Sequence, residues 1–250
     1  MRLAALFLAL IPCLGHAEPR AVSINLCTDQ IAMMLAAPGQ LLSVSWLARD
    51  PMLSSMADEA QAYPANRGQA EQVFLMRPDV VLASPYSSRP VIELLRRLGL
   101  RVEEIPPAMT LDDVPAQIMA TGRAMGRVAE AEALVAEYSA NLPTIPQAQG
   151  RAASYQPNGH TAAPGTMGDG IMAHAGWGNV ATGSVLPLEE LLLADPELLI
   201  LAQTYPGTSR SEEMLRHPAL AALDARTARS GADWICGTPH VLRAIAAISR

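Results

Sequence analysis

Apolar positions along the chain fall into two periods. Short apolar runs, the mark of strands covered on both faces, recur at AVSINL (21–26), LLSVSW (41–46), VVLAS (80–84) and LRVEEIPP (100–107), then at AASYQ (152–156) and LLILA (198–202). Helical patterns separate them. CTDQIAMMLAA (27–37) opens on a capping choice, Thr28 or Asp29, and stops at Pro38-Gly39. RPVIELLRRLG (89–99) carries Pro90 in its first turn and Gly99 as its stop. Further helices are predicted at DGIMAHAGWGNVA (169–181), at SEEMLRHPALAAL (211–223), where His217-Pro218 makes a break, and from Pro239 onward, with His174 and His240 as helix residues. Strands alternating with helices at this spacing predict an α/β fold with mainly parallel sheets.

One passage occurs twice. AEQVFLMRPDVVLAS (70–84) and PLEELLLADPELLILA (187–202) each run from a glutamate through an apolar helix, a proline and an acid into an apolar strand. Pro78 and Pro196 stand 118 residues apart, and Glu71 and Glu189 precede them by the same seven residues. Between the copies, 112–140 reads as one uninterrupted helix, capped by Asp112 or Asp113, with Val114, Ile118, Thr121, Met125, Val128, Val135 and Tyr138 forming one apolar stripe. At 1.5 Å per residue, about 25 residues of such a helix span roughly 37 Å, close to the width of a small domain. The pattern therefore predicts two similar α/β lobes joined by a strut: an N-terminal lobe at 18–108, a connecting helix at 109–142 and a C-terminal lobe at 143–250. Between ALDARTARSGADW (222–234) and the last helix no apolar strand is visible, which leaves the edge of the second lobe open.

Composition adds compartment and partner class. Arg2, the run LAALFLALIPCL and the small residues of Gly15-His16-Ala17 make residues 1–17 a cleavable secretory signal, too short to span a bilayer; Pro12 argues against a lipid on Cys13. Half the residues are hydrophobic, enough for a substantial core, and the net charge of −6 speaks against nucleic acid as a partner. Two cysteines remain, Cys27 and Cys236. In an oxidising compartment they form a disulfide or stand as thiols facing a ligand, each beside a helix start.

SINLCTDQ, AEQVFLMRPDVVLAS with RLGLRVEEIPP, GRAMGRVAEAEAL, and PLEELLLADPELLIL followed by RHPALAAL together resemble the periplasmic solute-binding proteins of ABC importers for iron-siderophores, haem and cobalamin, the helical-backbone class III. The resemblance covers most of residues 20–250. It implies two lobes bridged by a rigid helix, a ligand cleft between them, and delivery of the captured metal chelate to a permease in the inner membrane by a monomer.

In open α/β lobes, ligands gather at the carboxyl ends of the strands. With aromatic residues at only 4%, the placing of Trp46, Tyr86, Tyr155, Tyr205 and Trp234 at or near those ends singles them out as apolar contacts for a flat macrocycle or chelate. Asn25 and Cys27 join them at the first strand end. Arg49 and Arg67 are cationic candidates for an anionic ligand group, and His160 stands in the glycine-rich loop NGHTAAPGTMGDG, which lacks both phosphate-loop patterns. His160 with Cys27 and Cys236 has none of the short ligand spacings of a zinc site, so neither a resident metal nor a cofactor is expected. No G-x-S-x-G elbow, H-E-x-x-H or paired catalytic signature appears, so the expected activity is binding rather than catalysis. A free zinc or manganese carrier is the alternative, disfavoured by five histidines in the whole chain. Glu71 and Glu189, at equivalent helix starts, serve the helix dipole; the resemblance implies that they also dock the two lobes on the permease.

Overall fold

The computed structural model describes residues 18–148, 150–207 and 209–249, so the expected signal segment and Cys13 lie outside the described residues. The N-terminal lobe holds β1 (Ala21–Ser23), β2 (Leu41–Ser45), β3 (Ala65–Asn66), β4 (Val80–Ala83) and β5 (Val102–Glu104), parallel throughout in the order β3-β2-β1-β4-β5. Crossovers run through α1 (Leu26–Leu35), α2 (Ala70–Leu75) and α3 (Arg89–Arg97). All four residues of β4 are buried, as a strand covered on both faces requires.

The expected single connecting helix is two. α4 (Val114–Met125) ends at Gly126, which adopts φ 71°; the Gly126 amide donates to the Arg123 carbonyl and the Arg127 amide to Gly122, the paired bonds of a left-handed helix stop. α5 (Val128–Asn141) then runs back along α4. Its Tyr138 Oη donates to the carbonyl of Leu111, just before α4, and Gly122 lies so close to Ala131 that a Cβ on it would come within 2.4 Å of the alanine methyl. The apolar stripe holds through Val114, Ile118, Thr121 and Met125 and breaks after the turn, where Val128 is exposed. The strut is thus a helical hairpin; α5, at 14 residues, spans about 21 Å.

The C-terminal lobe contains β6 (Arg151–Tyr155), α6 (Met167–His174), β7 (Gly178–Asn179), α7 (Leu188–Ala194), β8 (Leu198–Ala202), the short α8 (Arg210–Glu213) and α9 (Pro218–Ala221), β9 (Arg226–Ser230) and α10 (Val241–Ile248). Its sheet is parallel in the order β7-β6-β8-β9. The second lobe therefore does have an edge strand. β9 reads RTARS because only one of its edges pairs, with β8, so the apolar run that marks a central strand is not required.

The repeated passage now has a structural reason. Arg77 and Asp195, the residues before the two prolines, both have positive φ (50° and 45°), turning the chain out of α2 and α7 into β4 and β8. Asp79 Oδ2 accepts the amide of Arg20, which precedes β1; Glu197 Oε1 accepts the amide of Arg151, at the start of β6. Since β1 pairs β4 from Ala21↔Val80 and β6 pairs β8 from Ala152↔Leu198, the two acids fasten the same corner of the two sheets. One apolar cluster joins the lobes: Ile31 and Leu35 of α1, Val114, Ile118 and Tyr138 of the hairpin, and Ile171, Leu198, Ile200 and Ile245 of the second lobe.

Candidate functional site: the cleft between the lobes

The carboxyl ends of the two parallel sheets face each other. From the N-terminal lobe come the N-terminus of α1 and the loop after β2; from the other lobe come the ends of β6, β8 and β9 and the segment before α10. Among the described residues, four bonds tie the lobes across the seam. Cys27 and Cys236 form a disulfide, with Cα atoms 5.3 Å apart. Tyr205 Oη donates to Asp50 Oδ2 at 2.7 Å, Gln203 Nε2 to the Met52 thioether at 3.0 Å, and Arg243 Nη2 to the Ser55 carbonyl at 3.2 Å. The bond to Asp50, whose charge a phenolate would face, holds the Tyr205 hydroxyl above its ordinary pKa.

Two adjoining cavities occupy the cleft. One, about 300 Å³, lies between Met52 and Leu53 of the first lobe and Gln156, Gln203, Tyr205, Ser230 and Trp234 of the second. The other, about 460 Å³, runs to the hinge, between Met109, Ser154, Thr161, Ala163, Met167 and Ser184. Gln156, Trp234 and Ile235 line both. Neutral hydrogen-bonding groups, thioethers and one indole make a wall suited to a large amphipathic ligand. Among the described residues, no three His, Cys, Asp or Glu side chains come together as a metal site, and no helix is long and apolar enough to cross a membrane.

A family model described as periplasmic binding protein matches residues 22–228. The chain belongs to the periplasmic binding protein family. A search of curated protein sequences finds no match. Solved structures show the same fold at low identity. A periplasmic heme-binding protein from Pseudomonas aeruginosa is 22% identical with a TM-score of 0.70, over 92% of this chain and 91% of that one. The apo form of the periplasmic heme-binding protein RhuT from Roseiflexus sp. RS-1 is 19% identical with a TM-score of 0.71, over 93% and 98%. The periplasmic heme-binding protein HutB of Vibrio cholerae is 17% identical with a TM-score of 0.71, over 91% and 96%. The family is one of binding proteins located in the periplasm.

In this periplasmic binding protein the residues singled out from the sequence part company. Tyr205 and Trp234 line the cleft. Trp46, 48% exposed after β2, and Arg67, after β3, form a pair on the same sheet edge, with the guanidinium carbon 5.5 Å from the indole centroid. Tyr86, 80% exposed, stands beyond the end of β4. These three lie outside the walls of the two cavities.

Five others have different work. Asn25 caps α1, its Oδ1 accepting the amides of Cys27 and Thr28. Cys27 is bonded to Cys236, so of the two readings of the pair the bridge holds and the ligand-facing thiol does not. Arg49 donates to the carbonyls of Ala60 and Tyr63, fastening the loop after β2 instead of offering its charge to the cleft. Tyr155 is fully buried in the apolar cluster between β6 and α7, because the side chains at the end of β6 alternate between sheet faces and this one points away from the cleft. His160 is exposed and bridges to Val185 through its backbone, outside both cavities.

Among the lining residues that the sequence did not single out, Met52, Gln156, Gln203, Met109 and Met167 carry neither charge nor ring. Gln156 and Gln203 directly follow β6 and β8, and strand-end position was the one available signal.

Proposed function

We propose that the protein captures a metal chelate, a ferric siderophore, haem or a corrinoid such as cobalamin, in the interlobe cleft and delivers it to an ABC importer in the inner membrane. The observation that carries this reading is the cleft wall itself, built from both lobes with Trp234, thioethers and neutral hydrogen-bonding groups. The heme-binding proteins that share the fold support the same class of cargo. The wall offers a bare zinc or manganese ion no converging ligand set among the described residues, so the chelate reading is preferred over a free-ion carrier. Trp46 with Arg67, and Tyr86, would meet the outer part of a ligand larger than the cavities, Arg67 taking an acidic substituent. The expected leader at residues 1–17 would send the chain to the periplasm, where it would act as a monomer.

Delivery requires a surface that the permease reads. Glu71 and Glu189 are exposed in the first turns of α2 and α7. Each helix leads into a parallel strand and therefore begins at the cleft edge of its sheet, so the two carboxylates flank the cleft mouth, one per lobe. One turn further on, Leu75 and Leu193 are 78% and 85% exposed, again 118 residues apart. We assign both pairs to the permease-docking face.

Absorbance titration of purified protein with haem, cyanocobalamin and a panel of ferric siderophores tests the cargo. Saturable binding of at least one is expected, weakened about 5- to 150-fold by Trp234→Ala. Absence of saturable binding across the panel would overturn the reading.

A further inference from the structure

Trp234 and Ile235 make the partition between the two cleft cavities, with the half-buried Trp234 packed against the edge of the apolar cluster that joins the lobes. Besides the two cleft cavities, Trp234 borders a third of about 250 Å³, with Arg229 and Arg243. Ile235 is exposed. The hydrogen bonds of this segment stay within it: Trp234 amide to Gly231 carbonyl and Ile235 amide to Ala232 carbonyl. Its ion pair, Asp233 with Arg243, lies within the C-terminal lobe, and Arg243 in turn donates to the Ser55 carbonyl across the seam. Cys236 follows directly, nearly fully buried and covalently tied to Cys27 at the N-terminus of α1. Gly237 then packs against the hinge, where a Cβ would come within 2.3 Å of the Ala108 methyl.

We propose that the Cys27–Cys236 bridge is a positioning device for the ligand cleft: it holds the Trp234–Ile235 partition against the opposite lobe and thereby sets which ligand shapes the two chambers accept. This rests on the cleft being the cargo site, as proposed above. A partition anchored by a covalent bond across the seam keeps the chambers separate while the ligand enters; without it, the segment keeps only the indirect tie from Asp233 through Arg243 to the Ser55 carbonyl and the contact of Gly237 with Ala108, and the chambers open to each other. A ligand with two parts, one for each chamber, would feel the loss more than a ligand that fills one.

Two measurements test it on the full chain, comparing wild type with Cys27→Ser/Cys236→Ser. Hydrogen exchange should be at least tenfold faster at amides 232–235 in the serine pair, with β8 still protected. Haem and cyanocobalamin titrations form the second arm, in a cycle with Trp234→Ala/Ile235→Ala. The bridge and partition variants should each weaken the better of the two probes about tenfold and change the ratio between the probes at least threefold, and their combination should add little. If the serine pair does not fold, wild type treated with a phosphine reductant immediately before labelling replaces it. Unchanged exchange at 232–235 overturns the proposal, as do additive losses in the cycle. If neither probe binds, the cargo reading falls for those probes, and the exchange arm alone decides whether the bridge positions the partition.

Discussion

Asp29 is the buried acid of the first lobe. It sits on α1 with no exposed surface and accepts the backbone amide of Ser45 at 3.1 Å and the Ser45 hydroxyl, holding the end of β2 from which Trp46 projects. Burial pushes its carboxyl from 3.8 up to about 6, against the opposing pull of hydrogen bonds from Ser23 and Ser45. Because the folded value lies above the unfolded one, the native state holds the extra proton between them. That contribution to stability is complete below about pH 4 and is lost as pH rises through about 6. A rise of about two pKa units corresponds to roughly 3 kcal/mol at pH 8. Asp29→Asn keeps an acceptor for the Ser45 amide and removes the charge, so urea unfolding should show the variant more stable than wild type by about 1–3 kcal/mol at pH 8, with the difference gone by pH 4. An equal difference at both pH values would refute this account. His240 points the same way about the seam: burial first, then Arg243, lowers its imidazole pKa, so it stays neutral between the lobes.

At the scale of elements, α2 and α7 and the helical hairpin carry the predictions. If the two helices present equivalent docking pairs, Glu71→Ala/Glu189→Ala should bind ligand as wild type does and fail to support uptake in cells, and Leu75→Ser/Leu193→Ser should do the same through lost apolar contact. Rim charges act on partner choice and association rate, so raised salt should weaken the wild-type interaction with the permease more than that of the glutamate variant. Normal uptake by both double variants would remove α2 and α7 from the docking face. In the hairpin, Gly122→Ala forces a methyl against Ala131 and should cost about 1–3 kcal/mol, read as a lower Tm without loss of ligand affinity. The hairpin also shows why the sequence suggests a single strut. A heptad-like stripe runs unbroken through the sequence, and Gly126-Arg127 looks like an interior pair; only the contact of α5 with α4 repays the reversal. The polar β9 leaves no apolar signal for the converse reason, since an edge strand paired on one side has no need of the apolar run that marks the others.

For the whole molecule, the lobes are coupled by more than the hairpin. A single apolar cluster extends from α1 through α4 and α5 to α6, β8 and α10, and the disulfide joins residues 209 apart in sequence. Closing so long a loop restricts the unfolded chain, for a stabilisation on the order of 3–5 kcal/mol. Urea unfolding of the oxidised protein should therefore be one cooperative transition reported alike by tryptophan emission and circular dichroism. Two separated transitions would mean that the lobes fold independently, contrary to the shared core.

The sequence by itself determined the lobes, their parallel sheets and the twofold repetition, because strand burial, helix stops and the proline-acid corner are local demands that each segment answers alone. It also placed Tyr205, Trp234, Trp46 and Arg67 at or near the carboxyl edges of the sheets. Which of the residues on that edge reach the cleft was decided only in three dimensions. Tyr155 and Gln156 are neighbours in sequence, yet one is buried in the core and the other lines both cavities. Arg49 lies at the right strand end but spends its guanidinium on two carbonyls that its sequence neighbours do not reveal. The choice between a bridge and two free thiols for Cys27 and Cys236 likewise depends on bringing the two lobes to one seam, because residues far apart in the chain acquire a common geometry only when the lobes pack.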